Sequence, residues 1–90
     1  MITANEFENL TVFCEAYGNP QPAIQWSKAF TSINNGRMRS KNGLLSFRPL
    51  RVEDGGSYLC KATNLFGFIQ TLMHINVQRP LGMYNKCKRR

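Results

Sequence analysis

Few side chains in this ninety-residue chain could do chemistry: three cysteines (Cys14, Cys60, Cys87), one histidine (His74) and five acids (Glu6, Glu8, Glu15, Glu53, Asp54). Three cysteines so widely spaced do not suit a structural zinc site, whose ligands come in close pairs. They divide into one disulfide and one leftover thiol, and their number alone does not say which two are joined. His74 falls on the outward parity of an alternating stretch, where a lone histidine is an ordinary surface residue. No acid is placed by pattern beside both a nucleophile and a base, and no glycine-rich phosphate loop is present. The chain therefore reads as a non-enzyme with no cofactor and no metal. Asn9-Leu10-Thr11 is an acceptor sequence for N-glycosylation, and Asn9 falls on an outward parity.

Charge narrows the classes further. The net charge is +7, but residues 79–90 carry five of the twelve basic residues (Arg79, Lys86, Lys88, Arg89, Arg90) and no acid. Residues 1–78 hold seven basic against five acidic residues, a balance of +2. A nearly neutral body with a basic tail is not a nucleic-acid signature, because the aromatics do not alternate with the cations as a stacking platform requires. Apolar runs are too short for a membrane span. The start, MITANEFENL, lacks the basic and apolar regions of a signal peptide, as in a mature or excised fragment. Cys87 sits inside Lys86-Cys87-Lys88-Arg89-Arg90. There it is either a reactive thiol that pairs outside this segment or an unpaired end.

The elements that must position these residues are strands. Leu10, Val12 and Cys14 share one parity, as do Ile24 and Trp26, Leu45 and Phe47, Tyr58 and Cys60, and Met73, Ile75 and Val77. Such alternation turns one set of side chains to a core and the other to solvent. Turn signals punctuate it at Gly18-Asn19-Pro20-Gln21-Pro22, Asn34-Asn35-Gly36, Asn42-Gly43, Asp54-Gly55-Gly56 and Asn64-Leu65-Phe66-Gly67. No apolar stripe has helical spacing. Short strands with turns every eight to twelve residues predict an all-β sandwich or barrel over residues 1–78, followed by an unpatterned tail over 79–90.

One set of spacings goes further. Trp26 follows Cys14 by twelve residues, and Cys60 follows Trp26 by thirty-four. The run into Cys60 reads Asp54-x-Gly56-x-Tyr58-x-Cys60, preceded by Leu45-x-Phe47-x-x-Leu50 and followed by Ala62-x-Asn64-x-x-Gly67. In these residues the chain resembles the I-set branch of the immunoglobulin superfamily. The resemblance implies an immunoglobulin-like β-sandwich of two antiparallel sheets bridged by Cys14–Cys60, with Trp26 packed at the bridge. It also implies that Tyr58 folds its hydroxyl back onto backbone at the corner before the sixth strand, with Asp54 accepting hydrogen bonds there and Gly56 leaving room for the ring. Only Met1–Phe7 precede the second strand, so the first edge is expected to be short, as in a fragment of a longer chain.

By the same resemblance the expected function is non-catalytic recognition by an extracellular or cell-surface adhesion or receptor module. Its partner would be a protein ligand or a neighbouring immunoglobulin-like domain. Two other uses stay open: an intracellular cytoskeletal or sarcomeric spacer with reduced thiols, and a secreted module that binds heparin-like chains. The candidate protein-binding residues are Leu59 and Leu72, facing one way on neighbouring strands, with Phe66 and Phe68 at the hairpin beside them. The candidate sulfated-glycan residues are Arg37, Arg39 and Lys41, expected to share one edge, together with the tail cations Lys86, Lys88, Arg89 and Arg90. Edge strands also carry positive charge simply to block edge-to-edge pairing.

Overall fold

Alternation becomes strand wherever the sequence shows it. The computed structural model describes residues 1–29 and 33–79. It has seven strands: β1 (Ile2–Asn5), β2 (Leu10–Phe13), β3 (Ala23–Ser27), β4 (Met38–Lys41), β5 (Leu44–Phe47), β6 (Gly56–Asn64) and β7 (Gly67–Gln78). A short 3-10 turn, Val52–Asp54, joins β5 to β6. The strands form two layers in the orders β1-β7-β6-β3 and β2-β5-β4. Pairing is antiparallel throughout except for β1, which lies parallel to the end of β7 with Ile2 opposite Ile75.

The expected inward residues meet between the layers. Val12, Trp26, Met38, Leu45, Phe47, Leu50, Tyr58, Cys60 and Ile75 form one buried cluster. Each large apolar side chain in it contributes about 1.5–3 kcal/mol by leaving water. Phe47 and Tyr58 meet edge to face with ring centroids 5.8 Å apart. Cys14 and Cys60 are bonded across the layers, with Cα atoms 6.6 Å apart. Closing the chain over 46 residues stabilises the fold by roughly 4 kcal/mol on the loop-entropy model. Trp26 lies directly opposite Cys60 in the β3–β6 register and donates its indole N–H to the Gly43 carbonyl at 2.9 Å.

That carbonyl belongs to the two-residue turn between β4 and β5. Asn42 and Gly43 both have positive φ (53° and 82°), the pair of angles that lets a tight hairpin follow the twist of its strands. The Gly43 carbonyl also accepts the Cys14 amide at 3.1 Å, so the turn is tied to both the bridge and the indole.

At the opposite end, the corner between β5 and β6 is held by polar bonds. Asp54 is buried, and its carboxylate accepts hydrogen bonds from Arg37 Nη1 and Nη2 and, at 2.7 Å, from the Arg51 amide. The Tyr58 hydroxyl donates to the Asp54 carbonyl at 2.6 Å. Lys28 completes the group, its ammonium reaching the Gly55 carbonyl (3.3 Å) and the Tyr58 oxygen (3.2 Å). Burial foremost, then the nearby Asp54 charge, pushes the Tyr58 pKa well above its ordinary value of 10.0. The hydrogen bond to Asp54 raises the Arg37 pKa. The expected role of Gly56 needs correcting. A Cβ there would approach only the end of the Lys28 side chain, at 3.8 Å, and the glycine is required by its φ of +133°.

The two layers differ in length. β6 and β7 run for nine and twelve residues, whereas β2, β4 and β5 have four each. At about 3.4 Å per residue, β7 spans roughly 40 Å and its opposing strands roughly 13 Å. The β6–β7 hairpin therefore extends past the layer that would cover it.

Candidate functional site

The overhanging hairpin is built by its turn. Asn64 and Gly67 pair across it, leaving Leu65 and Phe66 at the tip. The Asn64 side-chain oxygen accepts the Phe66 amide at 2.9 Å, and Gly67 supplies a φ of +138°. The amide nitrogen of the same side chain donates to the Pro20 carbonyl at 3.0 Å, which fastens the hairpin to the proline-containing loop between β2 and β3. This leaves several large apolar side chains in solvent: Tyr17 is 85% exposed, Phe66 80%, Leu72 72%, Ile69 70% and Phe68 57%. A cleft of about 260 Å³ lies among Ala16, Tyr17, Pro22, Phe66, Phe68 and Ile69. Tyr17 donates its hydroxyl to the Glu15 carboxylate at 2.6 Å, and that hydrogen bond raises its pKa.

Of the four residues expected to form one patch, Leu59, Leu72 and Phe68 share the outer face of β6 and β7 and Phe66 stands at the tip, and the four divide into two groups. Leu59 lies opposite Leu72, and Phe68 lies opposite Thr63. Between these rows stands Lys61 opposite Gln70, with the Lys61 ammonium 4.1 Å from the Phe68 ring centroid. Leu59, half-buried, and Leu72 line a separate groove with Ser27, Lys28, Ala29 and Ser57. Phe66 and Phe68 belong instead to the cleft at the hairpin end.

Ile69 is the residue the sequence reading missed. Its parity matches Met73, Ile75 and Val77, so alternation sends it to the core, yet no opposing strand reaches it. A signal was present: from Phe66 to Leu72, four of seven residues are large and apolar, and they occupy both parities. A strand with only one covered face would not carry them on both.

The basic candidates also separate. Arg39 and Lys41 project from one face of β4, the edge strand of its layer, but Arg37 does not join them as a free cation. Its guanidinium is committed to buried Asp54, because a buried carboxylate requires a charged donor. Arg48, just beyond β5, lies on the same face as Arg39 and was not among the candidates. Arg79 forms an ion pair with Glu6 at 3.6 Å. Lys86, Cys87, Lys88, Arg89 and Arg90 lie outside the described residues. Asn9 is exposed in the connection between β1 and β2. His74 is exposed with Ser57 Oγ 3.4 Å from its Nδ1. Among the described residues no three His, Cys, Asp or Glu side chains converge as metal ligands, and no helix is long and apolar enough to cross a membrane.

A surface of this kind offers apolar contact area and a cleft, which suits recognition of another surface. Residues 1–64 match the family described as immunoglobulin domain. The chain is 32% identical over 85 residues to the chicken cell adhesion molecule DSCAML1, a match covering 88% of this chain and 4% of that protein. It is 40% identical over 83 residues to human matrix-remodeling-associated protein 5, covering 81% and 3% respectively. Extracellular domains 3–5 of Drosophila OTK superpose with a TM-score of 0.74 at 36% identity, over 87% of this chain and 28% of that one. The chain thus spans only a few per cent of the length of these curated relatives.

Proposed function

The chain belongs to the immunoglobulin domain family, and from that premise we propose that it is a non-catalytic recognition module, of the I-set branch, in the extracellular part of an adhesion molecule or receptor. It engages a second protein, either a separate ligand or a neighbouring immunoglobulin-like domain, through the overhanging β6–β7 hairpin. The observation that carries this reading is the cluster of Tyr17, Phe66, Phe68 and Ile69, all exposed around one cleft at the hairpin end. Exposed contiguous apolar surface that includes aromatic side chains marks interaction sites. The Cys14–Cys60 bridge supports an oxidising compartment. The adhesion proteins among the relatives support the class.

The test uses the domain arrayed on beads and presented to a panel of cultured cells, with Phe66→Ser/Phe68→Ser as the comparison. Binding that the double variant loses while its melting temperature stays unchanged supports the reading. Equal binding by the variant removes the hairpin from it. Thiol labelling of Cys14 and Cys60 in cell-derived protein separates compartments: free thiols there would favour an intracellular spacer.

A further inference from the structure

We propose that the outer face of the β2-β5-β4 layer is a binding site for a sulfated polysaccharide, with Arg39, Lys41 and Arg48 as its anion-binding residues. This face is on the opposite layer from the β6–β7 hairpin, so the proposal stands or falls independently of the protein-binding reading.

Register sets out the face in rows. Thr11, Ser46 and Arg39 lie side by side across the three strands, and Phe13, Leu44 and Lys41 form the next row. Arg48 follows Phe47, the last residue of β5, and donates its amide to the Arg37 carbonyl at 2.9 Å, which begins a third row on the other side. Steps of about 7 Å along a strand and about 5 Å between strands space the three cations over roughly 15 Å. They border a groove of about 300 Å³ with Asn42, Leu44 and Ser46 in its wall and no carboxylate. Among the described residues neither Arg39, Lys41 nor Arg48 makes an ion pair, whereas Arg37 at the groove's end is neutralised by Asp54.

Edge protection explains only part of this. β4 is an edge strand, where Lys and Arg discourage pairing with another chain. Arg48, however, extends from β5, the central strand of its layer, where no edge needs blocking. Three unpaired cations on one face oppose one another unless an anion joins them.

The rest of the face selects the class of anion. Two guanidinium forks match the oxygens of sulfate groups better than ammonium alone would. The Thr11 and Ser46 hydroxyls, 3.5 Å apart, offer hydrogen bonds to sugar hydroxyls. Leu44 and exposed Phe13 provide an apolar surface for the faces of sugar rings. A nucleic acid would require successive aromatic platforms, and this face has one aromatic ring.

A heparin-derived octasaccharide, titrated by calorimetry into the ninety-residue chain at several salt concentrations, tests the proposal. The Arg39→Gln/Lys41→Gln/Arg48→Gln variant is expected to lose about tenfold or more in affinity and to lower the slope of log affinity against log salt by about two to three. Arg39→Lys/Arg48→Lys, which preserves charge, should lose several-fold, because the forks are gone. A chain ending at residue 79 should keep most of the affinity. Unchanged binding by the triple variant with native circular dichroism would overturn the proposal, as would loss of binding on removing the tail alone. Equal affinity for single-stranded DNA or phosphatidylserine vesicles would also overturn it, by reducing the face to unselective charge.

Discussion

The two ends of β6 are finished in opposite ways. At its start, Asp54, Arg37, Tyr58 and Lys28 close the corner with hydrogen bonds, and no buried side-chain polar atom among the described residues lacks a partner. At its end, the hairpin leaves Phe66 bare at the tip, Phe68 bare on the outer face, and Ile69 bare on the inner face where no layer covers it. Buried polar groups impose strict geometry, since an unmatched charge or carbonyl is costly to bury. Exposed apolar groups impose none on their own fold and can be spent on a partner. The first end is where the molecule holds itself together; the second is the one proposed to meet a partner.

Substitutions can break or sharpen that contrast, and the largest effect is expected at the corner. Asp54→Ala leaves the Arg51 amide without its acceptor and the Arg37 guanidinium with the Pro49 carbonyl but no counter-charge, and should destabilise the fold by about 3 kcal/mol in a denaturant titration. A loss below about 1 kcal/mol would show that solvent takes over the carboxylate's role. Next comes Gly43→Ala in the turn at the hairpin's end of the sandwich. Its φ of +82° and a new Cβ 3.1 Å from the Cys14 carbonyl should cost about 2 kcal/mol, read as a lowered melting temperature. This would show that the same end has a rigid base beneath its open tip.

Tyr58→Phe is expected to cost about 1 kcal/mol near neutral pH by removing the buried hydrogen bond to the Asp54 carbonyl and the one accepted from the Lys28 ammonium. It should also change the alkaline limb. The folded-state pKa of Tyr58 is raised, so its contribution is present below the unfolded value of 10.0 and is lost as pH rises above it. Wild type should therefore lose its advantage over the variant by up to about 1.4 kcal/mol per pH unit above pH 10, in paired melts. The smallest stability effect belongs to Phe66→Ser/Phe68→Ser, within about 0.5 kcal/mol of wild type. A large loss there would mean that the hairpin belongs to the core.

Much of the fold was legible in the chain. Parity identified the inward sets on β2, β3, β5, β6 and the end of β7 but not on β1 or β4, and Asn42-Gly43 announced a turn whose two positive φ angles the structure contains. The residues from Asp54 to Cys60 announced the corner. These features are local, or repeat at fixed spacing, because a strand's side chains alternate wherever it goes. The candidate site was less legible. Leu72, Phe66 and Phe68 were identifiable as outward apolar residues, but Leu59–Leu72 and Phe66–Phe68 fall into separate groups because the Lys61–Gln70 row stands between them. Ile69 escaped notice because parity says which way a side chain points, not whether another layer is there to meet it.

The sequence by itself thus determined the strands, the turns and the family, through alternation, turn chemistry and the spacing of Cys14, Trp26 and Cys60. Only the tertiary structure decided which cations are free and which apolar residues are bare. Arg37 is neutralised by a carboxylate seventeen positions away, whereas Arg39, Lys41 and Arg48 come together on one face by register. Ile69 is exposed because β7 outruns the strands opposite. Charge pairing and burial depend on what lies across a gap in space, and that distance is fixed only when the two layers pack.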